Sequence, residues 1–296
     1  MSFSFGVSLG VFCSALITVI SASTAGAFPL PRAGLIGPAE FLQEINDQLE
    51  QALGYDFEGI AGLGNCSGSL VRFENSRDSD IAMMLTNGHC IDTGFPAPGQ
   101  VIVRKPARRS VTLYNSQANA VGRVNTQELL YGTMTKTDMA IYKLDKSFSE
   151  IYQAFSVRPL TISSAAVQVG VPLEIISGYW RRGYSCKVEK IAQTLKEGRW
   201  TFTDSVRYSR PGCEVIGGTS GSPVIQAGSR NVIAVNNTIN ESGGRCTDNN
   251  PCEVEPSGQV IHQRGYGYAQ QTMWIYSCLN SDGGLDLNKF GCQLHK

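Results

Sequence analysis

The sequence has no long run of charged residues of either sign. Its 296 residues include 25 basic and 25 acidic side chains, so the two signs balance. Proteins that bind nucleic acid or anionic membranes through charge carry a clustered basic patch. We therefore expect no nucleic-acid partner, while a hydrophobic content of 42% is sufficient for a sizeable folded core.

A hydrophobic run long enough to span a membrane is also missing. The most apolar segment, Val7–Ile20, is short and is interrupted by Ser, Thr and Gly, whereas a spanning helix needs about 20 apolar residues. No charged residue precedes Arg32, and Ala-Gly-Ala follows at residues 25–27. This pattern predicts a signal peptide over residues 1–27, with a membrane anchor as the alternative. The mature chain would then be secreted or periplasmic, without stable membrane association.

Cysteine spacings typical of metal sites are absent. The chain has no CxxC pair, and only Cys90 has a histidine beside it, so we expect no metal and no cofactor. Cys13 lies in the predicted signal peptide and follows Phe12 rather than a small residue, which disfavours lipid attachment. The other eight cysteines form an even set in an exported chain, which predicts disulfides. The simplest pairing follows chain order: Cys66–Cys90, Cys186–Cys213, Cys246–Cys252 and Cys278–Cys292.

The chain shows no alternation of strands and helices. Apolar residues recur at helical spacing only over Pro38–Leu53, which predicts one amphipathic helix in a leader or propeptide-like segment, residues 28–55. Beyond Gly54, short β-type runs such as QVIVRK, SVTLYN and MAIYKL are separated by turn residues, and a second series begins after Arg158. This organisation predicts an all-β domain over residues 56–296, built as barrels or sandwiches.

Histidine is scarce, and the three in the chain are His89, His262 and His295. His89 ends the segment LTNGHC, after an apolar strand and directly before Cys90. A single histidine is more often structural than catalytic. At a strand end with a cysteine to anchor its loop, however, His89 is placed as a fixed general base would be.

The segment GGTSGSPV, residues 217–224, has too little side-chain volume to fill a core. It fits an ordinary surface turn, or a loop that presents Ser220 as a nucleophile. A serine nucleophile needs a base, and the base needs an orienting group. Asp138, at the start of DMAIYKL, could orient His89 or simply cap a turn.

The GxSxG nucleophile elbow of α/β-hydrolases is excluded. The second residue after Ser220 is Ser222 rather than glycine, and the strand–helix alternation of that fold is missing.

Four segments, CSGSLV, LTNGHC, DMAIYKL and GGTSGSPV, resemble in this order the signature segments of chymotrypsin-like (trypsin-fold) serine endopeptidases. The resemblance covers about residues 59–272 and is closest to the bacterial secreted, glutamyl-endopeptidase-like branch. It implies an all-β fold of two six-stranded antiparallel β-barrels, about 56–150 and 155–276, followed by a disulfide-tied tail, 277–296. It also implies the pairs Cys66–Cys90 and Cys186–Cys213.

The resemblance also implies the roles of individual residues. His89 would be the general base, Asp138 its orienting group and Ser220 the nucleophile. The backbone N–H groups of Gly218 and Ser220 would form the oxyanion hole. The substrates would be proteins or peptides, cleaved through an acyl-enzyme by a monomer that needs no cofactor.

Two departures from the family concern activation and specificity. Thr219 stands where digestive members carry an aspartate that pairs with a new N-terminal amine, so we expect no such activation. Glu214 stands six residues before Ser220, where a carboxylate would favour basic substrates, and a surface position for Glu214 is the alternative. Asn236 stands at the place of the pocket histidine of glutamate-selective relatives, which makes glutamate preference doubtful.

We therefore predict a secreted serine endopeptidase. A catalytically idle relative that binds a partner and an esterase with the same triad are the alternatives, because fold alone does not determine function.

Overall fold

The computed structural model describes residues 54–296. The predicted signal peptide and the predicted helix over Pro38–Leu53 lie outside the described residues. No helix within residues 54–296 is long and apolar enough to cross a membrane.

The first half of the described chain is a closed barrel of six antiparallel strands. Pairing runs β1–β5–β6–β7–β3–β2 and returns from β2 to β1, while β4 (Val101–Pro106) pairs outside the ring with β6. The barrel strands are β1 (Ile60–Gly62), β2 (Ser67–Arg72), β3 (Ile81–Thr86), β5 (Ser110–Tyr114), β6 (Ala120–Thr133) and β7 (Met139–Ser147).

Alternating side chains explain why these segments close around a core. In β5, Val111 and Leu113 are fully buried, whereas Ser110 is exposed and Thr112 is partly exposed. This period of two places one face of each strand inside the barrel. The interior side chains include Ala61, Leu70, Met84, Val111, Leu113, Val124, Leu129, Tyr142 and Leu144.

A short helix and a short strand connect the two halves. Helix α1 (Phe148–Phe155) begins with a capping box, in which the Ser147 hydroxyl and the Glu150 carboxylate each accept from the other residue's backbone N–H. Strand β8 (Leu160–Ile162) then pairs in parallel with β2 and with β13. The two halves therefore share one continuous hydrogen-bonded sheet.

The second half contains strands β9 to β16. Antiparallel pairing runs β13–β12–β9–β10–β11–β16 and returns to β13, while β14 and β15 pair outside this circuit. The strands are β9 (Pro172–Ser177), β10 (Arg182–Glu197), β11 (Trp200–Tyr208), β12 (Pro223–Gln226), β13 (Asn231–Ile239), β14 (Cys252–Val254), β15 (Val260–Ile261) and β16 (Gly267–Gln271).

A separate cluster of buried side chains joins the halves to the C-terminal segment. It combines Val71, Leu85 and Ile141 of the first half with Ile176, Ile225 and Val235 of the second. Ile275 and Cys278, from a 3₁₀ helix (Met273–Cys278), pack against the same cluster. The all-β class and the first six-stranded barrel are thus confirmed.

Four disulfides are present in the described chain. They join Cys66 to Cys90, Cys186 to Cys213, Cys246 to Cys252 and Cys278 to Cys292. These are the pairs that chain order suggests. The first lies beside His89, and the last closes a loop in the tail.

The core position of Leu85 gives a test of this packing. Leu85 is fully buried, so Leu85→Ala should lower the free energy of unfolding by about 2–5 kcal/mol. Ile81, in the same strand, is 41% exposed, so Ile81→Ala should cost less than about 1 kcal/mol. Urea unfolding of the two variants measures the difference, and equal costs would contradict the burial pattern.

Candidate active site

The three residues singled out as a triad line one cavity between the two halves. This cavity has a volume of about 420 Å³, and His89, Asp138 and Ser220 all contribute to its wall. His89 and Asp138 come from turns at the ends of first-barrel strands, and Ser220 comes from the loop between β11 and β12. The fold therefore brings together residues that are far apart in sequence.

The turn that carries His89 is held tightly against the barrel. His89 lies in a 3₁₀ helix (Gly88–Cys90) directly after β3, and the next residue is tied to Cys66 by the disulfide. A Cβ atom at position 88 would lie 1.9 Å from the Thr133 carbonyl oxygen. Only glycine fits at this position, and the close approach fixes where the His89 ring projects.

Asp138 holds His89 at two points. Its Oδ1 accepts the His89 backbone N–H at 3.0 Å, and its Oδ2 lies 2.6 Å from the ring Nδ1. Asp138 itself is fully buried, and its backbone carbonyl accepts the Asn87 amide at 2.8 Å. A carboxylate at Nδ1 fixes the tautomer in which Nδ1 carries the proton, so Nε2 is left as the basic nitrogen.

The pKa of His89 reflects two opposing effects. Burial by itself lowers the pKa, but the charge of Asp138 and its hydrogen bond to the ring raise it more. The charge of Glu197 adds to this increase. The net result is a His89 pKa above its ordinary value, as expected for a base paired with a carboxylate.

The loop around Ser220 has all of its backbone carbonyls engaged. Each carbonyl from residue 216 to residue 220 accepts a hydrogen bond from the surrounding protein. The Ile216 carbonyl accepts from the N–H and hydroxyl of Thr219, and the Gly217 carbonyl accepts from the Trp180 indole N–H. The Ser67 hydroxyl donates to the Gly218 carbonyl, and the Ser67 N–H donates to that of Ser220. The Asn236 amide donates to the Thr219 carbonyl.

Four backbone N–H groups of the same loop have no protein acceptor in the described part of the chain, those of Ile216, Gly217, Gly218 and Ser220. The Thr219 N–H donates to the Ile216 carbonyl and the Gly221 N–H to the Asn236 carbonyl. Within residues 54–296, no protein acceptor binds the N–H of Gly218 or Ser220. Ile216 and Gly217 are exposed to solvent, so water can bind their N–H groups, whereas Gly218 and Ser220 are only partly exposed.

Glycine is required at two positions of this loop. Gly218 has φ +91° and Gly221 has φ +80°, both in the left-handed region. A Cβ atom at position 221 would also lie 2.2 Å from the Ser67 carbonyl oxygen. The sequence GGTSG therefore reflects the backbone path around Ser220.

The Ser220 hydroxyl donates to the Asn237 carbonyl oxygen at 3.5 Å. No hydrogen bond joins Ser220 to His89 among the described residues, although both line the cavity. In unliganded enzymes the bond between nucleophile and base is often long and tightens when substrate binds.

The two predicted specificity residues have different outcomes. Glu214 is exposed and does not line the cavity, because its neighbours Cys213 and Val215 are buried and turn it outward. Asn236 does line the cavity, but its Oδ1 accepts from the Tyr208 hydroxyl at 2.8 Å and its Nδ2 donates to the Thr219 carbonyl at 3.0 Å. Glu214 thus lies at the surface, which is the alternative to a pocket role, and the Asn236 amide stabilises the loop around Ser220.

Three residues contribute to the site although the sequence analysis did not predict a role for them. Ser67 and Trp180 bind the nucleophile loop, and Glu197 lines the cavity. Ser67 does belong to the segment CSGSLV, which could have drawn attention to it. Trp180 and Glu197 lie near turns of the second half and carry no sequence motif.

One group of residues has the composition of a metal site. Within the described part of the chain, Cys66, His89 and Cys90 are the three potential ligands that lie close together. The two cysteines are joined in a disulfide, so neither sulfur is available as a thiolate ligand. The disulfide accounts for this cluster.

Comparison with known protein families identifies one family that matches the chain. The family described as "Trypsin-like peptidase domain" matches residues 66–235, more than half of the sequence. The chain belongs to this trypsin-like peptidase family. No curated protein matches the sequence.

Solved structures of the same fold class show low sequence identity. The MamO protease domain of Magnetospirillum magneticum is 14% identical, covering 77% of this chain and 100% of its own, with a TM-score of 0.46. A Nocardiopsis protease is 19% identical, covering 73% and 92%, with a TM-score of 0.40. A glutamic acid specific serine protease is 18% identical, covering 73% and 92%, with a TM-score of 0.38. The assignment follows from the family match, and the glutamyl-endopeptidase-like branch stays a prediction.

The contact between His89 and Asp138 can be tested by titration. In the full chain with Ser220→Ala, the ring NMR signals of His89 should give a pKa above the ordinary histidine value. Adding Asp138→Asn removes the nearby charge while burial remains, so the pKa should fall by about 1–3 pH units. The ring of exposed His262 is the internal reference. A His89 pKa that does not change with Asp138→Asn would contradict the arrangement.

Proposed function

We propose that this protein is a secreted serine endopeptidase that cleaves peptide bonds through an acyl-enzyme. One observation carries the proposal: the paired His89 and Asp138 line the same cavity as Ser220, and no protein acceptor among the described residues binds the N–H of Ser220 or Gly218. The predicted signal peptide supports export, and the disulfides are consistent with an oxidising compartment. The proposal includes a second barrel, formed by the circuit of β9 to β13 and β16.

The chemistry follows from the positions of these groups. The Ser220 oxygen attacks the peptide carbonyl carbon while His89 Nε2 takes the hydroxyl proton. The carbonyl oxygen becomes negative and is bound by the N–H groups of Gly218 and Ser220. When the C–N bond breaks, His89 returns the proton to the leaving amine. A water molecule, deprotonated by His89, then attacks the ester and releases the acid and Ser220.

An open strand edge gives the substrate a place to bind. Strand β13 pairs with β12 only as far as Val235, whereas its other edge pairs with β16 up to Ile239. Asn237, Thr238 and Ile239 line the cavity beyond that point. An extended peptide can add to this edge through main-chain hydrogen bonds, as in β-strand addition.

The proposal does not require activation through a carboxylate next to the nucleophile. Thr219 is buried, and its hydroxyl and N–H both bind the Ile216 carbonyl. Hydrogen bonds within the folded chain thus hold the loop where an ion pair does so in digestive relatives. Removal of the predicted leader, residues 28–55, could act only by another route.

The proposed nucleophile can be identified with a fluorophosphonate probe. The full chain should be labelled, and Ser220→Ala should abolish labelling because the reacting oxygen is gone. Ser222→Ala is the matched control, since its buried hydroxyl has no hydrogen-bond partner in the described structure and its loss should leave labelling intact. Labelling that survives Ser220→Ala, or that never occurs, would reject the proposal. Digestion of peptide and ester substrates then distinguishes an endopeptidase from an esterase.

The oxyanion hole gives a second test. The Trp180 indole N–H donates to the Gly217 carbonyl at 2.8 Å, and because a trans peptide points its C=O and N–H in opposite directions, this bond orients the Gly218 N–H. Trp180→Phe removes a neutral hydrogen bond of about 1 kcal/mol, so kcat should fall about fivefold while KM stays within about twofold. Peptide hydrolysis measures both constants.

Tyr179→Phe is the control for Trp180→Phe. The Tyr179 ring packs edge-on against Trp180 at 4.9 Å, and phenylalanine preserves that contact. An unchanged kcat in Trp180→Phe, or an equal loss in Tyr179→Phe, would argue against the orienting role of the indole.

A further inference from the structure

Acidic side chains predominate over basic ones in the wall of the cavity. Among the described residues that form its wall there is no lysine or arginine, and His89 is the one basic side chain. Besides Asp138, which is paired with His89, the wall contains the carboxyl groups of Glu197, Glu241 and Asp248. Glu241 and Asp248 are exposed to solvent, whereas Glu197 is only partly exposed. Apart from Asp138, Glu197 is therefore the acid of the cavity wall that is largely removed from water.

The Glu197 carboxyl group is fixed by one of its two oxygens. Glu197 is the last residue of β10, and its Oε1 accepts from the Thr238 hydroxyl at 2.8 Å and from the Asn249 N–H at 3.0 Å. No donor from the described residues binds Oε2, which is not among the enclosed polar atoms of the chain. The side chain is thus held in place with one oxygen accessible.

The environment of Glu197 leaves its negative charge poorly compensated. The pKa of Glu197 is raised to about 7, mainly by burial and also by the nearby charge of Asp138, against the lowering effects of Thr238, His89 and Asn249. A carboxylate removed from water gains most from a cation that is removed from water with it. His89, the one basic side chain among the described residues of the wall, is already paired with Asp138, so a ligand can supply a cation for Glu197.

Another buried group also lacks a partner in the cavity. Asn237 is only 3% exposed and lines the cavity, yet its Nδ2 has no acceptor in the described structure. The Nδ2 atom is enclosed, and an amide without a hydrogen bond costs free energy. A turn of the Asn237 side chain towards a ligand acceptor in the cavity would recover it. Asn237 adjoins Thr238, the residue that holds Glu197. A peptide carbonyl beside Asn237 would therefore bring a neighbouring side chain towards Glu197.

Aromatic rings in the same wall would also favour a cation. Phe95 is 61% exposed, and its ring lies 6.0 Å from that of Trp200 and 5.7 Å from that of His89. The faces of aromatic rings attract ammonium and guanidinium groups. The cavity thus combines a fixed carboxyl group, aromatic surface and an unused amide donor.

We propose that Glu197 is a specificity-determining residue, which binds the side chain of a lysine or arginine in the substrate next to the β13 edge. This inference rests on the proposed peptidase function and adds to it a preference for basic peptides. The preference does not come from Glu214, which lies outside the cavity.

The test compares arginine with citrulline, which has the same shape without the charge. Quenched fluorescent peptides carry one or the other at each position around the scissile bond. At one position, arginine should raise kcat/KM about tenfold or more, as expected for a charge-assisted hydrogen bond. In Glu197→Gln this preference should fall to less than about twofold, because glutamine keeps the hydrogen bonds from Thr238 and Asn249 but carries no charge.

Control variants separate Glu197 from the general acidity of the protein. Glu214→Gln removes an exposed carboxylate outside the cavity and should leave the preference for arginine unchanged. Asp248→Asn removes an exposed carboxylate of the cavity wall and should retain most of it. If the native protein shows no preference at any position, or if Glu197→Gln keeps it, the inference is wrong.

A binding measurement keeps this inference separate from the proposed function. In Ser220→Ala, fluorescence anisotropy should show tighter binding of the arginine peptide than of the citrulline peptide, and Glu197→Gln should remove the difference. If peptides are not hydrolysed by the native protein but this difference exists, the peptidase function fails and the cation site stands. If hydrolysis occurs without any difference, the reverse holds.

Discussion

The geometry of the candidate active site depends on the hydrogen bonds made by one residue, Ser67. Its N–H donates to the Ser220 carbonyl at 2.8 Å, and its hydroxyl donates to the Gly218 carbonyl at 3.3 Å. Its own carbonyl accepts the Thr86 hydroxyl at 2.8 Å, and its neighbour Cys66 is joined by a disulfide to Cys90. Ser67 thus attaches the nucleophile loop of the second half to the strands that carry His89. The relative position of base and nucleophile follows from this attachment.

Hydrogen bonds also fix the backbone conformation of the loop around Ser220. Buried backbone groups must find partners, and the loop meets this requirement for its carbonyls through Ser67, Trp180, Asn236 and its own Thr219. Four N–H groups of the loop have no protein partner among the described residues, and those of Gly218 and Ser220 differ from those of Ile216 and Gly217 in being only partly exposed. A loop fixed by its acceptors presents its remaining donors without further reorganisation, which is the condition for stabilising charge as it develops.

Local sequence patterns predict the strands and the tight turns of this structure. The alternation in SVTLYN predicts a strand with Val111 and Leu113 inside, and the glycines of GGTSG predict a tight backbone path. His89 and Asp138 stand out because they occur at strand ends. The lining of the cavity depends on tertiary contacts instead. The distance of Glu214 from Ser220 in sequence leaves a pocket role and a surface position both open, and only the path of the chain shows that Glu214 is exposed.

The roles of Trp180 and Glu197 could not be predicted from the sequence, because their hydrogen-bond partners are distant in the chain. Trp180 meets Gly217 across 37 positions, and Glu197 meets Thr238 across 41. Neither pairing has a fixed spacing or a characteristic composition. Their importance becomes visible only when β10 and β13 are seen to line one cavity with Ser220.

The central claim is that the N–H groups of Gly218 and Ser220 are free to bind the oxygen of a group attached to Ser220. A crystal structure of the full chain after reaction with a peptidyl phosphonate tests it most directly. Phosphorus should be bonded to the Ser220 oxygen, with the phosphonyl oxygen about 3 Å from both nitrogens and the His89 ring still bound to Asp138. Phosphorus on another residue, or a phosphonyl oxygen turned away from both N–H groups, would contradict the account.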